Sequence, residues 1–136
     1  MNVCSLELAK ELYKLSGWED TEKSYNIEND VEDTSMAILM HPEHTPAYDL
    51  GYLLRKLPPQ IRLPYKNGRL RNRPNFLSLR PKRHYGSGHV YKPGWEAIYL
   101  KYRTNDYIIA VADTPEDAAA KLAIELFKPG ILKNEA

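Results

Sequence analysis

The residues in this chain best placed to do chemistry are cations at short spacing. Arg69, Arg71 and Arg73 alternate, and on a β-strand alternation puts all three guanidinium groups on one face. Arg80, Lys82 and Arg83 follow, with His84 and Tyr85 directly after them. Arginine pairs a phosphate bidentately, and Tyr65, Tyr85 and Tyr91 offer rings on which bases can stack. All of these lie between Gly51 and Trp95, a span with eleven Lys and Arg and no Asp or Glu. The chain before it carries a net charge of −8 and the chain after it −2, so the total of +1 hides a strong segregation. If these cations share one surface, the expected partner is an anion: nucleic acid, a signalling nucleotide, or an acidic surface on a host protein. Six phosphate contacts would lower affinity by roughly 10³-fold between 50 and 200 mM salt. The competing reading is a solvated basic region, neutralised by the acidic first third of the same chain or of a second subunit.

Other chemistry has thinner support. His41 and His44 bracket Pro42 and Glu43, a spacing that suits metal binding or acid–base work. Pro42 prevents a regular helix across the pair, and Cys4 is the only soft ligand the chain could add. A polar connector is the simpler reading, and no metal is expected. Gly86-Ser87-Gly88-His89 is a flexible glycine loop, yet it matches no phosphate-loop spacing. There is no nucleophile elbow, no dinucleotide fingerprint and no metal-ligand cluster. The chain therefore reads as a non-enzymatic binding protein with no cofactor.

Several elements must position these residues. Ser5 to Leu15 predicts a helix, with Ser5 as N-cap, Leu8, Leu12 and Leu15 on one face, and Gly17 as the stop. Gly17 to Thr34 is acidic and reads as a solvated loop anchored by Trp18, Tyr25 and Ile27. Ser35 to Met40 fits a buried strand. Thr45 to Leu57 predicts a second helix, with Thr45 as N-cap, Pro46 at the first helical position, and Arg55 and Lys56 at the negative end of the dipole. Asn67-Gly68 suggests a tight turn between Ile61–Lys66 and Arg69–Arg73. Asn75 to Leu79 is a further strand that Pro81 closes. Trp95 to Tyr102 and Tyr107 to Val111 form the clearest hairpin, across Thr104-Asn105-Asp106. Thr114 then caps a third helix running to Lys128, with Pro115 at its first position and Glu116 and Asp117 at its positive end.

Two resemblances attach to these segments. The central PAYDLGYLLRKLP and the closing DTPEDAAAKLAIELFKPGIL resemble small proteins encoded by phages and prophages, over about half of the chain. That likeness implies an accessory protein working in a host cytoplasm, and it carries no catalytic residue across. A looser likeness is to the double-stranded-RNA-binding domain, whose order is helix, three strands, helix. The run AAAKLAIELF is similar to that domain's last helix, and Gly86-Ser87-Gly88-His89 to its minor-groove loop. That domain holds phosphates with lysines at the start of the last helix. Here those positions are Pro115, Glu116 and Asp117, which repel phosphate.

The expected fold class is α+β: a single domain over all 136 residues, with a small antiparallel sheet, the C-terminal helix and two further helices packed on it. One cysteine excludes an internal disulfide framework. No stretch approaches the roughly 18 apolar residues of a membrane span. The expected setting is the cytoplasm, with no membrane partner and with self-association left open. A second functional reading is an inhibitor of a host defence or replication factor, using charge complementarity on both its acidic and basic faces.

Overall fold

The structure, a computed structural model, describes residues 2–40, 44–62, 74–85, 91–100 and 107–134. At 39, 40, 82–85, 91–93 and 107 the description is of the backbone alone. The first helix, α1 (Leu6–Ser16), forms where its leucine spacing predicts, burying Ala9, Leu12 and Ser16. Gly17 ends it at φ 71, a left-handed conformation open to glycine at low cost, and its N–H donates to the Tyr13 carbonyl at 2.8 Å. Ser5 is the N-cap by backbone only. Its hydroxyl makes no capping bond, and its N–H donates instead to Asp117 Oδ1 at 2.7 Å, tying the start of the chain to the last helix.

The acidic segment is more ordered than its composition suggests. It forms β1 (Lys23–Tyr25) and β2 (Val31–Asp33), joined by a turn in which Asn26 Oδ1 accepts from the N–H groups of Glu28 and Asp30. Trp18 and Tyr25 are buried anchors, whereas Ile27 is exposed. The Tyr25 hydroxyl donates to the Cys4 carbonyl and that of Tyr48 to the Trp18 carbonyl, both at 2.6 Å. These bonds hold the segment to the residues just before α1 and to the core.

Two expectations fail in the next stretch. Thr34–Met40 is a helix, α2, and not a buried strand. Both edges of β1 are already paired, by β2 and by β3 (Thr45–Ala47), in the order β2-β1-β3, so that sheet's central strand has no edge left for SMAILM. Met and Ala, both good helix formers, then prevail. Ala37 is buried while Met36 and Ile38 stay half exposed. The second helix, α3 (Leu50–Lys56), also starts four residues later than predicted. Pro46 belongs to β3, which is an edge strand, where proline's missing N–H is tolerated. The real N-cap is Asp49, whose Oδ1 accepts the Tyr52 N–H at 2.8 Å.

The second sheet is antiparallel, with strands β4 (Gln60–Ile61), β5 (Asn75–Tyr85), β6 (Tyr91–Leu100) and β7 (Tyr107–Ala112) in sequential order. The predicted β6–β7 hairpin is present, with β6 starting at Tyr91 and not at Trp95. Pro81 does not close β5. It stands opposite Trp95, and β4 pairs β5 only at Asn75 and Phe76, with the Leu77 N–H donating to the Pro59 carbonyl just beyond. Among the described residues no strand flanks that side of β5 at Pro81, so no ladder bond is lost to the proline. The predicted turn at Asn67-Gly68, with Arg69 to Arg73, lies outside the described residues, as does Thr104-Asn105-Asp106.

The last helix, α4 (Pro115–Phe127), organises the packing. Thr114 caps it as predicted, its Oγ1 accepting the Asp117 N–H at 3.2 Å. One side of α4 lies on β7, β6 and β5, and the other meets α1 and α3. Ala118, Ala119, Ala120 and Ala123 are fully buried, because a helix covered on two sides needs small residues where neighbours approach closely. Leu122 and Leu126 fill the core beside them. The fold is thus α+β, with four helices and two antiparallel sheets among the described residues.

Candidate functional site

The basic stretch folds, where it is described, into a ribbon. Strands β5 and β6 pair continuously from Phe76 opposite Leu100 to Tyr85 opposite Tyr91. Strand β7 reaches only as far as Trp95, which faces Ala112. Among the described residues, Lys82–Tyr85 and Tyr91–Gly94 therefore continue as two strands alone, about 13 Å past the end of β7 at the usual strand rise. Lys82, Arg83 and His84 come from one strand and Lys92 from the other, and neither strand has an acid there.

Strand parity divides the predicted residues. Arg80, Lys82 and His84 occupy one alternation class, and Arg83 and Tyr85 the other, so β5 cannot turn all of them the same way. Lys92, which its separation from the arginines by the glycine loop leaves out of the predicted set, pairs in register with His84. The readable signal was the pair of aromatic residues, Tyr85 and Tyr91, flanking a short glycine loop: a hairpin pattern. Arg69, Arg71 and Arg73 lie outside the described residues.

Arg80 has a partner within the fold. Its Nε donates to Glu96 Oε1 at 2.6 Å across the β5–β6 ladder. Glu96 is only 5% exposed, and a carboxylate that deep needs a cation beside it. The Arg80 side chain remains about half exposed, at 52%, so it closes the sheet and still reaches solvent.

Arg55 and Lys56 have structural work, as their place in the last turn of α3 suggests. The Lys56 ammonium stands 5.4 Å from the Trp18 ring and the Arg55 guanidinium 5.9 Å from the Tyr52 ring. The Tyr52 hydroxyl donates to Asp20, and that bond, with a smaller contribution from Lys56 and Arg55, holds the Asp20 carboxyl below its usual range. At this point the acidic and basic parts of the chain do meet.

The remaining candidates are set in structure. Cys4 is fully buried, and burial pushes its thiol up to about 12, which leaves it almost wholly protonated at neutral pH. His44 is partly buried and His41 lies outside the described residues. Among the described residues no three of His, Cys, Asp and Glu gather as metal ligands, and no helix is long and apolar enough to cross a membrane. At the start of α4, Glu116 is buried and Asp117 holds the Ser5 N–H, so acids occupy the place where a phosphate would sit. No protein-family model, curated protein or solved structure matches the chain.

Proposed function

We propose that this protein is a non-enzymatic binding protein that takes nucleic acid on its β5–β6 ribbon. The observation that carries this reading is the two-stranded extension past β7, whose residues 82–85 and 91–94 include Lys82, Arg83, His84 and Lys92 and no acid. A two-stranded ribbon fits the major groove of B-form DNA, about 12 Å wide. Lysine and arginine along it would displace condensed counterions from the phosphates. The acidic first third of the chain, repelled by the same phosphates, would keep the ribbon foremost. An accessory role in a phage or mobile element is part of the same proposal and rests only on the resemblance of the PAYDLGYLLRKLP and DTPEDAAAKLAIELFKPGIL segments noted in the sequence.

Fluorescence anisotropy with duplex DNA, single-stranded DNA and RNA across a salt series tests the proposal. Affinity should fall steeply with salt. Replacing Lys82, Arg83 and Lys92 by alanine together should flatten the slope of log K against log salt by roughly 0.9 for each phosphate that is no longer neutralised. Salt-independent binding, or a triple variant that binds like the native chain, would overturn it. Absence of nucleic-acid binding together with one nuclease-resistant, stoichiometric protein partner would favour the inhibitor reading.

A further inference from the structure

We propose that two copies of this protein pair antiparallel through the outer edge of β7. Strand β7 ends its sheet, so among the described residues one row of its backbone N–H and C=O groups has no strand beside it. Edge strands that stay single carry charges, prolines or bulges as guards. Tyr107–Ala112 reads YIIAVA, with no charge and no proline. A strand without charge can meet its own copy without setting like charges face to face.

A two-fold axis perpendicular to the sheet relates residues of the same face, so it must pass through a residue level. Centred on Ala110, it sets Ile109 opposite the partner's Val111, twice, and Ile108 opposite the partner's Ala112. Val111 is 37% exposed in the single chain, and Ile109 is partly exposed beside it. Pairing covers both with β-branched neighbours, the side chains best suited to a pleated surface. Edge pairing of this kind is isologous and closes at two copies.

The helix beside the strand supplies matching charges. A groove of about 310 Å³ lies along β7, lined by Leu8, Ile109, Ala110 and Ile124, with Lys121 and Glu125 among its polar residues. Lys121 Nζ donates to the Val111 carbonyl at 3.3 Å, which puts the Lys121 ammonium level with Val111. Only Asp113 and Thr114 separate β7 from α4, and the helix packs back along the strand. Glu125, four residues on, is about 6 Å further, which matches two strand residues and brings it level with Ile109. The axis that sets Val111 opposite the partner's Ile109 therefore sets Lys121 toward the partner's Glu125, and the reverse. Lys121 has no carboxylate partner among the described residues, and one Glu125 oxygen is held by Lys128 at 2.8 Å, leaving the other.

Sedimentation velocity over a wide concentration range, without nucleic acid, tests this independently of the ribbon. The native protein should sediment as a monomer–dimer equilibrium, and Val111→Asp as a monomer. Lys121→Glu and Glu125→Lys should each weaken the dimer by about tenfold or more, since each sets like charges together, and the double reversal should restore most of the loss. Circular dichroism checks that each variant is folded. The exposed Lys121 and the partly exposed Glu125 keep the test open if Val111→Asp is not. A native chain that stays monomeric at its highest soluble concentration would overturn the proposal. So would a folded Val111→Asp dimer, or a double reversal no better than the single changes.

Discussion

Replacing Arg80 by alanine tests whether the ribbon's first cation is a binding residue alone or also part of the sheet. An exposed ion pair is worth about 0–1 kcal/mol, whereas removing one partner of a buried pair costs about 3–5 kcal/mol. The Arg80–Glu96 pair falls between these limits. Glu96 is buried, but the Arg80 side chain is half exposed and Glu96 has other interactions as well. The expected cost of Arg80→Ala is therefore about 2–3 kcal/mol. Unfolding entropy near 2.1 cal/mol/K per residue gives roughly 0.29 kcal/mol/K for 136 residues, so the melting temperature should drop by about 9 °C. In a Glu96→Gln background, where no buried charge is left unpaired, the same change should cost only about 1 kcal/mol. Urea denaturation of the four proteins in this cycle measures the difference. A cost of Arg80→Ala below about 0.5 kcal/mol, or an equal cost in both backgrounds, would refute the reasoning and return Arg80 to the surface.

Asp49→Ala should destabilise by about 1 kcal/mol through loss of the α3 cap, while Thr45→Ala should change stability by less than about 0.5 kcal/mol. Chemical denaturation that ranked them the other way would restore a helix start at Thr45. Stability should also fall in alkali. Burial raises the Cys4 thiol from 9.0 to about 12 and raises the phenols of Tyr48 and Tyr99 above 10.0. The unfolded chain therefore loses these protons first. The stabilisation is complete below about pH 9 and is lost as pH climbs toward the folded values. Urea midpoints taken between about pH 8 and 11 should decline, with Cys4→Ala removing the earliest part of the decline, and a flat profile would contradict this.

Helix α1, the β6–β7 hairpin and helix α4 were legible because each announces itself locally. Leu8 and Leu12 recur at helical spacing before a glycine that accepts positive φ, and Thr114-Pro115-Glu116-Asp117 combines a cap, a pre-set φ and charges that suit the helix dipole. The middle of the chain was not legible in the same way. Thr45-Pro46 satisfies the rules for a helix start and for an edge strand equally well, and only the pairing of β3 with β1 decides between them. SMAILM is apolar enough for a strand, but no edge of β1 remains to receive it.

The charge pattern shows the same division. That the cations lie together between two acidic regions follows from the order of residues alone. Which of them are committed elsewhere depends on contacts made in the folded chain. Arg55 and Lys56 lie against the rings of Tyr52 and Trp18, and Arg80 reaches across the ladder to Glu96. Lys92 comes opposite His84, eight positions away along the chain. Cross-strand register follows from which backbone groups find partners, and no local spacing encodes it.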